Sequence, residues 1–149
     1  MTAPEPRGEL GVNPLTPFTS EASWFCCGAA WGPCGAHGGG ACGTCKSGSM
    51  QCAWPNASAA CFNETRPDTC GDGLARLGCG HGFSVTGVCS GTAISVSIAD
   101  CGPNTQLWCG EQTCCNGTCG TDRLIDLTPA AFSAIASLSS GRTAVSVHS

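Results

Sequence analysis

Ile94-Ser95-Val96-Ser97-Ile98-Ala99-Asp100-Cys101-Gly102-Pro103, and further on Leu124-Ile125-Asp126-Leu127-Thr128-Pro129-Ala130-Ala131-Phe132, decide how this chain is read. Each is a short apolar run that meets a carboxylate and is then stopped by a Gly-Pro or Thr-Pro break. In the first, Ile94, Val96 and Ile98 alternate with Ser95, Ser97 and Ala99, the period of two expected of a strand buried on one face. Asp100 falls on the isoleucine side if the strand runs straight, and a bulge at Ala99 would reverse it. In the second, Thr128 suits an N-cap and Pro129 the first helical turn. Phe132, Ile135, Ala136 and Leu138 then recur at helical spacing up to Gly141, so Asp126 is expected just before a helix.

Fifteen cysteines among 149 residues mark a disulfide scaffold, most naturally one domain. An oxidising, secreted location follows from that density. The cysteines are Cys26, Cys27, Cys34, Cys42, Cys45, Cys52, Cys61, Cys70, Cys79, Cys89, Cys101, Cys109, Cys114, Cys115 and Cys119. Their odd number leaves at least one without a partner in the chain, and spacing leaves the pairing open. The adjacent pairs Cys26-Cys27 and Cys114-Cys115 are each expected to bond two different partners, because a vicinal bridge is strained. Cys42-Gly43-Thr44-Cys45 has a zinc-like spacing, but a thiolate site would leave most other cysteines unexplained, so no metal and no cofactor is expected.

Only 11% of residues are charged and the net charge is −4, which excludes the basic surface that nucleic-acid binding needs. No apolar run is long enough for a membrane span. The first residues have neither a basic n-region nor an apolar h-region, so a mature secreted form is expected. Asn56, Asn63 and Asn116 open N-glycosylation sequons, which imply exposed loops.

Residues 1–21 contain Pro4, Pro6, Pro14 and Pro17 and read as an extended arm, with 22–149 as the folded domain. Leu10, Val12, Leu15 and Phe18 are more apolar than a plain linker needs, so the arm is also read as able to dock on a neighbouring copy and build a homo-oligomer or filament. Residues 22–25 read as the first strand. The segment 26–73 is a Gly- and Cys-rich insertion almost without periodicity, whose glycines permit tight loops that cysteines staple. Ser90-Gly91 signals a hairpin into the strand at 94, and 143–147 alternate as a last strand.

A family resemblance rests on these residues. Val96-x-Ile98-x-Asp100-Cys101-x-Pro103 followed by Leu124-x-Asp126-Leu127-Thr128-Pro129-x-Ala131-Phe132 resembles the double-psi β-barrel domain of expansins, loosenins, barwin-like proteins, rare lipoprotein A and family-45 endoglucanases. Ala22-Ser23-Trp24-Phe25 is similar to the opening strand of the lipoprotein-A and expansin barrels, Gly40-Ala41-Cys42-Gly43 to an expansin element, and Trp108-Cys109 to the stretch before the second acid of plant expansins. Gly82 stands where the family has a cysteine after Cys79. The likeness covers about 22–147 and implies a mainly β fold, a six-stranded double-psi barrel with one helix and long stapled loops.

The resemblance implies a groove for polysaccharide or peptidoglycan lined by Ser23, Trp24 and Trp108, with Asp126 before Asp100 as the acid that acts there. Trp31 and Trp54 are further surfaces on which a sugar ring could stack. Trp24 could instead fill the core, and the two aspartates could cap a turn or a helix. Hydrolysis by inversion needs two carboxylates about 6.5 to 9.5 Å apart. Family-45 enzymes carry their base after the first-strand aromatics, where this chain runs from Trp24-Phe25 directly into Cys26-Cys27. A non-hydrolytic, wall-loosening or glycan-binding protein of the cell wall is therefore the favoured reading, ahead of an endoglucanase or lytic transglycosylase using Asp126. A self-assembling structural protein or a secreted inhibitor on the same scaffold completes the set. Thiol counting on denatured, unreduced protein should find at most a few free cysteines, and a mostly reduced set would remove both scaffold and secretion.

Overall fold

The computed structural model describes residues 18–55, 57, 58, 61, 68, 69, 72, 73, 76–102 and 123–148. The arm before residue 18, the sequons at Asn56, Asn63 and Asn116, Trp108, and Cys70, Cys109, Cys114, Cys115 and Cys119 lie outside them.

In chain order the strands are β1 (Phe18–Trp24), β2 (Gln51–Trp54), β3 (Ala57–Ser58), β4 (Asp68–Thr69), β5 (Asp72–Gly73), β6 (Leu77–Gly78), β7 (Gly82–Gly87), β8 (Ala93–Cys101), β9 (Arg123–Leu127) and β10 (Arg142–His148). Six of them close a barrel in the order β1-β10-β7-β8-β2-β9. Two parallel pairs, β1 with β9 and β2 with β8, interleave with antiparallel ones. The mainly β, closed six-stranded architecture is the one the resemblance implies.

Period-two patterning builds the wall. Phe83 and Val85 face inward on β7, opposite Val96 and Ile94 of β8. Ala22, Ile98, Ile125, Leu127, Val145 and Val147 complete the interior. Trp54, only 2% exposed, meets Phe83 with ring centroids 5.3 Å apart, which removes it from any sugar surface. The helix α1 (Pro129–Ser133) closes one end through the buried Ala131 and Phe132.

In the helix, its cap and the strand bounds, the structure departs from the sequence reading at four places. β1 begins at Phe18, four residues before the expected 22. The helix stops at Ser133 and a separate 3-10 turn covers Leu138–Ser140. Ser137 starts that turn afresh: its backbone is extended and its hydroxyl accepts from the Ser139 amide, a local bond that serine offers in place of a continuing helix. Thr128 sits at the N-cap position but its hydroxyl does not cap. It donates instead to the carbonyls of Ser49 and Gln51, tying the start of β2 to the end of β9. Finally, β2 lies inside the segment read as loop. Four residues containing Ala and Cys are too few for a period of two to stand out.

Disulfides join Cys26–Cys34, Cys27–Cys45, Cys42–Cys79 and Cys61–Cys101, and Cys89 is disulfide-bonded as well. Cys26 and Cys27 thus take separate partners, and Cys42 and Cys45 are bridged rather than held for a metal. Such stapling fits an oxidising, extracellular compartment. No described helix is long and apolar enough to cross a membrane.

Cys52, counted above with the disulfide set, is a free thiol with 0% exposure. It points into the barrel from β2, between Ile98 and Leu127. Burial, and next the charge of Asp126, push its pKa far above the ordinary 9.0. The folded thiol therefore holds its proton more tightly than the unfolded one, and the stability this contributes is complete below about pH 9 and declines above it. Unfolding free energy should fall by an extra ~1.4 kcal/mol per pH unit between about pH 9 and 11. The chain has no tyrosine to obscure the slope, and urea titration of Cys52→Ala should lack it.

Candidate functional site

The bulge at Ala99, named only as the alternative to a straight strand, is present. Cys52 pairs with Ile98 and Ala53 with Asp100, so Ala99 is the extra residue on β8. Ile98 stays in the core, whereas Ala99 turns outward into a second cluster with Phe25, Cys27 and Cys45. Asp100 follows it outward. The straight-strand expectation, with Asp100 on the side of Ile94, Val96 and Ile98, is corrected by this one residue.

Asp126 reaches the same face by plain alternation, since its neighbours Ile125 and Leu127 are both core. The ladder pairs Ser23 with Asp126, Asp126 with Ala53, and Ala53 with Asp100. Ser23, Asp126, Ala53 and Asp100 consequently form one lateral row across β1, β9, β2 and β8, on the outer wall. The two aspartates are two strand spacings apart along it, about 10 Å between backbones. Ala53, 3% exposed, separates them as a packed methyl.

The two acids have different partners. Ser23 donates its hydroxyl proton to Asp126 Oδ1, and both side chains are half-buried. Asp100 Oδ1 accepts from the amides of Ala41, at 2.7 Å, and Cys101, at 2.8 Å. The loop it holds is pressed close. A Cβ at Gly40, where φ is +73°, would lie 2.9 Å from the Ala99 carbonyl oxygen and 3.0 Å from Asp100 Cγ. Only glycine fits that approach. The Cys42 amide donates to the same Ala99 carbonyl.

The loop 26–49 is fastened at its other side too. Ser47, fully buried, accepts from the Cys27 amide at 2.8 Å and donates to the Cys27 carbonyl at 2.7 Å. Gln51 accepts from the Lys46 amide and donates to the Thr44 carbonyl.

Trp24 is not with Ser23. It pairs with Leu127, packs against the core and donates its indole N–H to the Leu138 carbonyl at 3.0 Å, which corrects its expected place in the groove. Of the four tryptophans, Trp31 is the exposed one among those described, at 38%. It borders a cleft with Lys46 that the reading did not single out. Lys46 is the chain's single lysine, a signal that was present in the sequence.

Against solved structures, the chain is similar to an apo expansin from Clavibacter michiganensis, with a TM-score of 0.50 and 16% identity over 89% of this chain and 49% of that one. The fold is an expansin-like double-psi β-barrel. The chain spans about half the length of that expansin. It is also similar to the Streptomyces papain inhibitor, at 22% identity over 94% of this chain and 96% of that one, with a TM-score of 0.49. No protein-family model and no curated protein matches the chain.

In this expansin-like barrel Asp100 holds the insertion against the wall, while Asp126 is held by a side chain. Asp100→Ala should destabilise the protein by about 1–3 kcal/mol, the scale of hydrogen bonds to a charged acceptor. Amide exchange at Ala41 should quicken with it. Asp126→Asn, measured alongside by urea unfolding, should cost less.

Proposed function

We propose that this chain is a secreted, expansin-like barrel that binds a cell-wall polysaccharide or peptidoglycan on its outer row without cleaving it. The observation that carries the reading is the division of the two carboxylates. Asp126 is oriented by Ser23 at a half-buried position, suited to accept hydrogen bonds from sugar hydroxyls, where a charged acceptor gains about twice a neutral one. Asp100 is engaged by two backbone amides of its own chain. An inverting glycosidase asks its second carboxylate to activate a water opposite the acid. The bridge of packed Ala53 and the two amides on Asp100 favour binding over that chemistry.

Retention on insoluble cellulose, chitin and peptidoglycan, together with a reducing-end assay, tests this. The native chain should be retained on at least one of them and release no new reducing ends. Asp126→Asn should weaken retention tenfold or more, the equivalent of ~1.5–3 kcal/mol for a charged hydrogen bond, with the thermal midpoint moved by only a few degrees. Unchanged retention in the variant removes the reading. Reducing ends that vanish in Asp126→Asn would instead make the protein a glycan-cleaving enzyme.

A further inference from the structure

Beside the outer row, the loop 26–49 shapes a cleft of about 480 Å³ bordered by Ala29, Ala30, Trp31, Thr44, Lys46 and Ser49 among glycines. That size lies within the range of small-molecule sites, which combine apolar walls with few polar groups. Its frame is fixed by Cys26–Cys34 and Cys27–Cys45 and by the two mutual hydrogen bonds of Trp31 with Cys34, at 2.9 Å each. Such a frame loses little freedom on binding. The indole packs against Gly48, where a Cβ would come within 2.7 Å of Cδ1, so the absent side chain is what leaves room for the ring there. Trp31 is nonetheless 38% exposed, an aromatic surface presented to the cleft.

The charge of the cleft is opposite to that of the chain. Among the described residues no aspartate or glutamate borders it, and Lys46 does, in a protein of net charge −4. The amides of Gly28, Trp31, Gly43 and Cys45 donate within the loop, and that of Lys46 donates to Gln51. A single carboxylate carried on a flat, partly apolar ring needs only the ammonium and the indole.

We infer that this cleft binds an acidic sugar, a uronate residue of a polysaccharide, with its pyranose ring on Trp31 and its carboxylate at Lys46. The site is separate from the Ser23–Asp126 pair and does not depend on the function proposed for that pair.

Calorimetric titration of the full chain at low salt with tetragalacturonate, and with neutral cellotetraose for comparison, tests it. Tetragalacturonate should bind saturably and more tightly than cellotetraose, and binding should weaken as salt is added. Lys46→Gln should reduce affinity about threefold and abolish the salt dependence, in keeping with an exposed ion pair. Trp31→Ala should reduce it about tenfold, whereas Trp31→Phe, which keeps a ring over Gly48, should retain most of it. Asp126→Asn should leave it unchanged. Because Lys46 is the single lysine, its acylation in a peptide map should also slow in tetragalacturonate. Absence of saturable binding, equal affinity for cellotetraose, or wild-type affinity and salt dependence in Lys46→Gln overturns the inference. Lys46 is exposed, so that variant decides the matter even if Trp31→Ala disturbs the loop.

Discussion

Between Ile98 and Asp100, β8 carries one residue more than β2 opposite it, and that residue, Ala99, sends Asp100 outward while Ile98 remains in the core. Much of the outer wall depends on this. The carbonyl of Ala99 takes the Cys42 amide, the carboxylate of Asp100 takes that of Ala41, and the chain passes both so closely at Gly40 that no Cβ fits. Without the bulge, Asp100 would carry its charge into an apolar barrel, away from the Ala41 amide that it accepts from now, at a large desolvation cost. The loop would lose its anchor at the same time.

The insertion has few apolar residues with which to pack itself, and its second cluster amounts to Phe25, Cys27, Cys45 and Ala99. Disulfides compensate by restricting the unfolded chain. The bridges close spans of 8, 18, 37 and 40 residues, and in the chain-entropy account longer spans contribute more. The barrel has the complementary difficulty, since β1 pairs with β10 and β9 from the far end of the chain. Such non-local pairing is slow to form. Cys61–Cys101 and Cys42–Cys79 both tie the insertion to the later strands, so the staples restrain the part of the chain that the barrel must bring together.

These points explain what was legible in the sequence. β7, β8 and β10 alternate cleanly because one face of each is buried, and the hydrophobic pattern then sets the register. The bulge could be named as an alternative but not chosen, since Ala99 is compatible with either face and only the loop above it decides. β2 was missed because Cys and Ala are small enough to read as loop. Asp126 and Ser23, singled out from different ends of the chain, do lie side by side, whereas Trp24 lies on the other face because adjacent residues in a strand point opposite ways. The pairing of cysteines, and which tryptophan would be exposed, depend on long-range folding that no local pattern encodes. Lys46 was visible as the single lysine, yet gains meaning only once the glycines bring it beside Trp31.

A buried free thiol in a disulfide-rich protein would ordinarily endanger the bridges, because thiol exchange proceeds through a thiolate attacking a bonded sulfur. Cys52 is held back on both counts. Its burial within the barrel denies it contact with solvent, and burial together with the charge of Asp126 disfavours the thiolate. Asp126 sits on β9 opposite Ala53, the next residue to Cys52, so the charge that faces outward with Ser23 also acts through the wall on the sulfur. The same carboxylate thus accepts from Ser23 on the outside and, after burial, adds to the bias against a thiolate inside. The charge adds to a bias that burial sets first, so replacing Asp126 by a neutral residue should lessen that bias without removing it.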